Sequence, residues 1–302
     1  MLSEKQLVDR INSIGGSEAS IILGYNKYKS KVELFLEKTG QKEIEQIDEL
    51  ENIPVLWGNL SEDNVAKVFE RFTGKKVRKS NKKWVHSIYD YITGNLDRVI
   101  VGEKAFLECK TANGWKAKEW EDEDIPIEYR LQCLHYLAVT GFERGYIAVM
   151  IDNTKFVWKV VERDEELIEM IIQEEVAFWN DHVLAGVIPA FDGSEASTNL
   201  LNELYSRAKG DQVYLPSEAE IIIEKWEEAK EYEKTWKETK AKYENQLKEA
   251  LKDAETGLTE NHVVSWKNVD INRFDSKRFK VDHPALYEEY INTTSSRRFG
   301  VK

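Results

Sequence analysis

The residues in this chain best suited to chemistry are Asp97, Glu108 and Lys110. They fall in the stretch 95–110, which reads as a β-hairpin. Asp97 opens one arm, Val101-Gly-Glu-Lys104 makes the turn, and 105–111 forms the second arm. Side chains alternate along a strand, so Glu108 and Lys110 share one face while Leu107 and Cys109 share the other. Across the ladder Asp97 can approach Glu108, which gathers two carboxylates and one ammonium. Two acidic oxygen donors suit a hard divalent cation such as Mg²⁺. A lysine beside them can orient or activate a water, or offset charge developing on a phosphate. Glu-x-Lys alone is a weak signal. It recurs at Glu228-Ala-Lys230 and Glu238-Thr-Lys240, where helix-surface charge accounts for it. The hairpin, the upstream Asp97 and the apolar flanks set the first instance apart.

The remaining elements must position that hairpin. A short helix over 2–11 leads to Ile14-Gly-Gly-Ser-Glu-Ala-Ser20, where a helix start offers backbone N–H groups and the Ser17 hydroxyl to an anion. The alternative is that Ser17 only caps the helix. Ser30 caps a helix over 31–38 that Gly40 ends. The run Val55-Leu-Trp-Gly-Asn-Leu-Ser-Glu62 opens a helix ending near Thr73-Gly74. Glu62, Val65, Ala66, Phe69 and Phe72 share one face of it, with Glu62 in the N-terminal turn. Glu62 is then either an acid aimed at the hairpin or a dipole-compatible edge residue. A basic run, 75–83, precedes a strand. A helix from 125 to 139 carries Leu131, Leu134 and Ala138 on one face and Gln132, His135 and Tyr136 on the adjoining one. Strands follow at 144–151 and 155–161, then a long amphipathic helix at 163–187.

This pattern is α/β through residue 191: a mixed central sheet flanked by helices. Residues 192–217 are polar and read as a linker. A mainly helical C-terminal extension spans 218–302. In it a charged helix over 218–254 repeats Ile222, Ala229, Trp236, Tyr243 and Ala250 every seven residues, with Trp226 and Leu247 beside them. Glu233 and Lys240 interrupt that seam, which suits a helical hairpin or a partner better than a long coiled coil. A short strand at 262–267 and a basic-aromatic tail at 273–299 complete the extension.

Composition narrows the class. The 302 residues allow one large domain with an appendage, or two domains. The two cysteines, Cys109 and Cys133, lack metal-knuckle spacing and exclude a disulfide framework, which fits a reducing compartment. No apolar run approaches the ~18 residues of a membrane span, and no signal-peptide pattern opens the chain, so a soluble intracellular protein is expected. The net charge of −12 argues against a general nucleic-acid binder. The charge is uneven, however. Residues 75–83 and the end Ser-Ser-Arg-Arg-Phe-Gly-Val-Lys are basic, while acid gathers at 43–51, 119–124 and the long C-terminal helix. A metal nuclease needs carboxylates in its site, so an acidic total leaves DNA open as a substrate.

Five segments, in order, resemble the YqaJ-like viral recombinase nucleases, relatives of lambda exonuclease in the PD-(D/E)xK superfamily. They are Ile14-Gly-Gly-Ser-Glu-Ala-Ser20, Trp57-Gly-Asn-Leu-Ser-Glu62, Gly94-Asn-Leu-Asp97, Leu107-Glu-Cys-Lys-Thr111 and Tyr129-Arg-Leu-Gln-Cys-Leu-His-Tyr136. The long C-terminal helix, Arg273-Phe-Asp-Ser-Lys-Arg-Phe and Ser295-Ser-Arg-Arg-Phe look like the tail of phage members. The proline of the superfamily name is absent, since Asn95-Leu96 precedes Asp97.

The resemblance implies a restriction-endonuclease-like core and a Mg²⁺-dependent DNA exonuclease. Such an enzyme digests linear duplex from 5′ ends and leaves single strands for phage-type recombination by strand annealing. It implies one or two Mg²⁺ ions, replaceable by Mn²⁺, held by Asp97, Glu108 and the Cys109 backbone carbonyl. Lys110 would act on the attacking water, Glu62 would lie beside the metal, Gln132 would position the site, and Ser17 would hold a DNA phosphate. The implied partners are double-stranded DNA ends, a single-strand annealing protein, and copies of the chain itself, as a ring trimer by analogy. No membrane is implied; the setting is a bacterial cytoplasm, with the gene carried by a phage or prophage. Two alternatives stand: an endonuclease of restriction or repair type on the same fold, and a non-catalytic DNA-binding or scaffold protein. The intact Asp97, Glu108 and Lys110 set speaks against the last.

Overall fold

Caps in the sequence set several helix ends. The structure, a computed structural model, describes residues 4–44, 48, 50–121, 125–210, 212–292 and 296–301. Parts of the acidic runs 43–51 and 119–124, the first residues of the helix expected at 2–11, and Ser295 lie outside the described residues. The chain opens with α1 (Glu4–Ile11) and α2 (Gly16–Ile22). The Ser30 Oγ accepts from the Glu33 N–H at 3.2 Å and starts α3 (Lys31–Lys38). The Asn52 Oδ1 accepts from the Val55 N–H at 3.3 Å and starts α4 (Ile53–Thr73), with Pro54 in the first turn and Gly74, φ 70°, closing it. The helix therefore begins before the residues expected to open it. Glu62 lies in mid-helix, and a dipole account of it no longer applies.

The central sheet is mixed and five-stranded, in the order β1 (Val77–Lys79), β4 (Arg98–Ile100), β5 (Ala105–Ala112), β6 (Arg144–Ile151), β7 (Lys155–Glu162). A small pair, β2 (Lys83–Val85) with β3 (Thr93–Asn95), stands beside it, so the basic run is shared between β1 and β2. Only β5 and β6, among these sheet neighbours, run parallel. A parallel pair needs a crossover, and α5 (Ile127–Thr140) supplies it, ended by Gly141 at φ 66°. The β6 sequence RGYIAVMI is almost all apolar, as a strand covered on both faces requires.

Helices cover the two faces. Phe106, Ile147 and Val149 of the sheet pack with Leu134 and Leu137 of α5 and Ile171 of α6 (Glu165–Ala177). On the other face, Leu107, Tyr146 and Ala148 meet Val65, Ala66 and Phe69 of α4. Complete burial of Phe69 contributes about 2–3 kcal/mol. Phe72, expected on the same stripe, is exposed and leans on Phe156. The single helix expected at 163–187 changes pitch, because Phe178–Leu184 winds as a π-helix. Phe178 and Trp179 there join Ile22 and Phe35 in a third cluster.

The chain divides into two compact units, 1–204 and 205–302. The segment read as a linker is helical over α7 (Glu195–Leu204), which buries Ala196, Ser197 and Leu200; three small or spaced buried positions give little periodic signal. In the second unit α8 (Glu218–Leu251) is followed by β8 (Thr256–Leu258) paired antiparallel to β9 (Val263–Ser265). The helices α9 (Ser276–Asp282) and α10 (Pro284–Tyr290) come last. On α8 the seam residues Ile222, Trp236, Tyr243 and Leu247 are exposed, and Trp226 meets Phe299 edge-on. Among the described residues no helix is long and apolar enough to cross a membrane.

Candidate active site

Strand register brings the acidic pair together. Arg98 stands opposite Leu107, so Asp97, one residue earlier, falls opposite Glu108. The Asp97 Oδ2 accepts from the Cys109 N–H at 2.8 Å. The Glu108 side chain is buried, and its Oε1 accepts from Lys110 Nζ at 2.7 Å and Gln132 Nε2 at 2.9 Å. Gln132 reaches it from the first turns of α5 and also donates to the Tyr136 hydroxyl at 3.0 Å. The Tyr136 ring is set so close to two glycines that a Cβ at Gly16 would lie 2.4 Å from Cε1, and one at Gly94 would lie 3.0 Å from Cδ1. Thus Asp97, Glu108, Cys109, Lys110 and Gln132 form one constellation.

The electrostatics are those of two carboxylates in one place. Burial, and then the Glu108 charge, push Asp97 up to about 8, against the Cys109 N–H and Lys110. Burial works against the Lys110 ammonium, but Glu108 and Asp97 outweigh it and raise Lys110 above the ordinary lysine value. The Glu108 Oε2 is buried with no hydrogen-bond partner; among the described residues only Glu175 Oε2 shares that state. A buried carboxylate oxygen without a donor is costly, and a cation would satisfy it. The donor chemistry of Asp97 and Glu108, all oxygen and anionic, fits a hard divalent ion.

Glu62 does not complete a triad. Its Oε1 accepts from Arg98 Nη1, and Asp63 takes Arg98 Nη2. Arg98 Nη1 also donates to the Asp97 carbonyl at 2.7 Å. Among the described residues no group of three or more His, Cys, Asp or Glu side chains is placed to hold a metal ion. The charge of Glu62 still reaches Asp97, as the last of the causes that raise it. Arg98 escaped the sequence reading. Its signal was alternation: the residue after Asp97 must face α4, where Glu62 and Asp63 stand side by side.

Ser17 lies in a neighbouring cleft. It is exposed in the first turn of α2 and is not the cap, because Gly15 holds that position and donates its N–H to Glu18 Oε2 at 3.0 Å. Glu18 is held in turn by buried Lys38, at 2.8 Å. Arg10, Ser17, Lys83, Asn95 and Tyr136 line this cleft of about 500 Å³. Tyr136 thus stands between the two places, its ring on the cleft and its hydroxyl on Gln132. Behind it, wholly buried His135 contacts Glu175 Oε1 at 2.7 Å and the Thr93 carbonyl at 2.9 Å. Burial opposes the imidazolium, but Glu175 prevails and raises His135 above its ordinary value.

Solved structures share this arrangement of sheet and helices. The alkaline exonuclease LHK-Exo of Laribacter hongkongensis aligns over 100% of its length with 68% of this chain, at 17% identity and a TM-score of 0.51. The same enzyme in complex with dAMP aligns at 19% identity and a TM-score of 0.51, again over 68% of this chain and 100% of its own. The fold of residues in the first unit is therefore that of this alkaline exonuclease. The YqaJ-like viral recombinase domain matches residues 7–143. The uncharacterised protein YqaJ of Bacillus subtilis (strain 168) is 44% identical over 305 residues, which span 100% of this chain and 95% of that protein. The chain belongs to the YqaJ-like viral recombinase family.

Proposed function

We propose that this protein is a divalent-metal-dependent DNA exonuclease that digests linear duplex from 5′ ends. The observation that carries the reading is the Glu108 Oε2, buried and without a donor, beside Asp97 and Lys110. Asp97, Glu108 and the Cys109 carbonyl would hold Mg²⁺ or Mn²⁺, one or two ions. Such an ion, when bound, would supply Lewis-acid chemistry to a phosphoryl group and its leaving oxygen. The Cys109 N–H fixes the Asp97 carboxylate, and Gln132 fixes Glu108. Lys110, held by the Glu108 carboxylate, would orient or activate the attacking water, or stabilise charge on the phosphate. Ser17, with Arg10 and Asn95 in its cleft, would take a further DNA phosphate. The dAMP complex of the Laribacter enzyme supports a nucleotide as the class of ligand.

The biological role we infer is supply of single strands for recombination by annealing, in a bacterial cytoplasm. A single-strand annealing protein and further copies of this chain, as a ring trimer, are the proposed partners. Family membership supports this role.

The test is digestion of linear duplex labelled at one 5′ or one 3′ end, with Mg²⁺ or EDTA, beside a closed circle. Early release of the 5′ label, an intact circle and no cleavage by Lys110→Ala are expected. Nicking of the circle would make the protein an endonuclease. Full digestion by Lys110→Ala would overturn the assigned mechanism.

A further inference from the structure

A second cavity, of about 370 Å³, opens at the end of β5. Ile53, Pro54 and Trp57 of α4 form one wall; Thr111, Tyr129 and Asn153 form the others. It adjoins the constellation above. Thr111 follows Lys110 in the strand, and Lys110 Nζ lies 5.1 Å from the centre of the Tyr129 ring. The Tyr129 ring is also engaged by Trp120, which stacks with it at 5.7 Å. Trp57 differs. It is 48% exposed, as Ile53 (61%) and Leu60 (62%) on the same helix are, whereas Val65, Ala66 and Phe69 further along enter the core.

Trp57 is also fixed in orientation. Its indole N–H donates to Asn153 Oδ1 at 3.3 Å. Asn153 sits at φ 56° and Asp152 at φ 46°, both in the left-handed region, in the tight turn between β6 and β7. Asn and Asp are the non-glycine residues that tolerate this best. The Thr154 N–H closes the turn on the Ile151 carbonyl at 3.0 Å, and Asp152 Oδ1 accepts from the Gly114 N–H at 2.8 Å. A turn that glycine would make without strain instead carries two side chains, one of which aims the indole. Lys116 lines the same cavity and brings a positive charge to it.

We propose that this cavity receives a nucleobase of the DNA strand, stacked on Trp57, one or two nucleotides from the phosphate that reacts. An oriented, half-exposed indole beside the reacting group is a stacking platform with little ordering cost on binding. Trp57 is a positioning residue in this scheme; it takes no part in bond breaking. The inference rests on the DNA-hydrolase reading.

The test uses the full chain with Mg²⁺ on linear duplexes that are either intact or carry a single abasic residue at successive terminal positions. Trp57→Ala is expected to lower kcat/KM about 10-fold on intact duplex, within the range that base–aromatic stacking gives. On the duplex whose abasic residue falls in the cavity, wild type loses the same factor and Trp57→Ala loses nothing more. Trp57→Phe keeps the platform and most of the rate. Asn153→Gly keeps the turn and the urea midpoint but lowers the rate on intact duplex. Equal losses by Trp57→Ala on intact and on every abasic duplex, or no loss on any, would overturn the proposal. If wild type cleaves no DNA, the hydrolase reading fails, and a binding measurement in EDTA decides the cavity. Quenching of a 2-aminopurine-labelled duplex end by wild type and Trp57→Phe, but not by Trp57→Ala, would support it; identical quenching by all three would overturn it.

Discussion

Replacing Asp97 with Asn should stabilise the metal-free protein at alkaline pH while abolishing hydrolysis. The folded chain keeps a proton on Asp97 up to about pH 8, against an ordinary value of 3.8. Between those values the folded state binds one proton more than the unfolded state. Stability is therefore full below about pH 4 and falls by about 1.4 kcal/mol per pH unit until the folded pKa is passed. From pH 5 to pH 8 this gives about 4 kcal/mol as an upper limit. Partial solvent contact and local relaxation bring the expected loss to roughly 2 kcal/mol. The Asp97→Asn side chain is neutral throughout, and its amide oxygen can still accept from the Cys109 N–H. Urea unfolding in EDTA should therefore show the variant gaining about 2 kcal/mol on wild type between pH 5 and pH 8. His135, raised above its ordinary value in both proteins, cancels in the difference. Mg²⁺ at pH 8 should stabilise wild type and not the variant, because ligand binding to the folded state alone raises stability. A variant that is less stable at pH 8, or a difference that ignores pH, would refute the reasoning.

Gln132→Ala removes both amide contacts, to Glu108 and to Tyr136, and should lower kcat about 10- to 100-fold while costing only about 1 kcal/mol in urea unfolding. Gly16→Ala would drive a methyl into the Tyr136 ring and should cost about 1–3 kcal/mol by the same measurement, with activity falling as Tyr136 shifts. His135→Ala leaves Glu175 buried without its partner and should cost about 3–5 kcal/mol, read as a lower urea midpoint.

The hairpin was legible because all its information is local. Its turn, its alternation and its acidic pair lie within 95–110, and the register follows from the turn. The α5 helix was legible for the same reason, with Pro126 before it and Gly141 after it. The surroundings were not. Glu62 seemed free to join a metal because its partner, Arg98, lies 36 residues away in sequence. Ser17 looked like a cap because its rival is a glycine, which caps by conformation and by the Glu18 carboxylate that answers it. Glu18 is in turn neutralised by Lys38, twenty residues on, a pairing that no local pattern announces. The basic run 75–83 gave no warning that it would be divided between two sheets, since β1 and β2 choose different partners.

The place of β5 between β4 and β6 has a consequence for how the protein is made. The β4–β5 hairpin can pair as soon as it leaves the ribosome, whereas β7 ends 50 residues after β5. At typical synthesis rates that is a delay of roughly 3–10 s. Throughout it, Asp97 and Glu108 stand in water, where two negative charges sit together at little cost. Closure of α5 and β6 over them removes that water. Burial of the pair is then an uptake step, in which the chain keeps a proton on Asp97 or, on the proposed function, would take up a divalent cation. Above pH 8, where protons are scarce, a divalent cation should hasten the appearance of the folded protein before any DNA has been met.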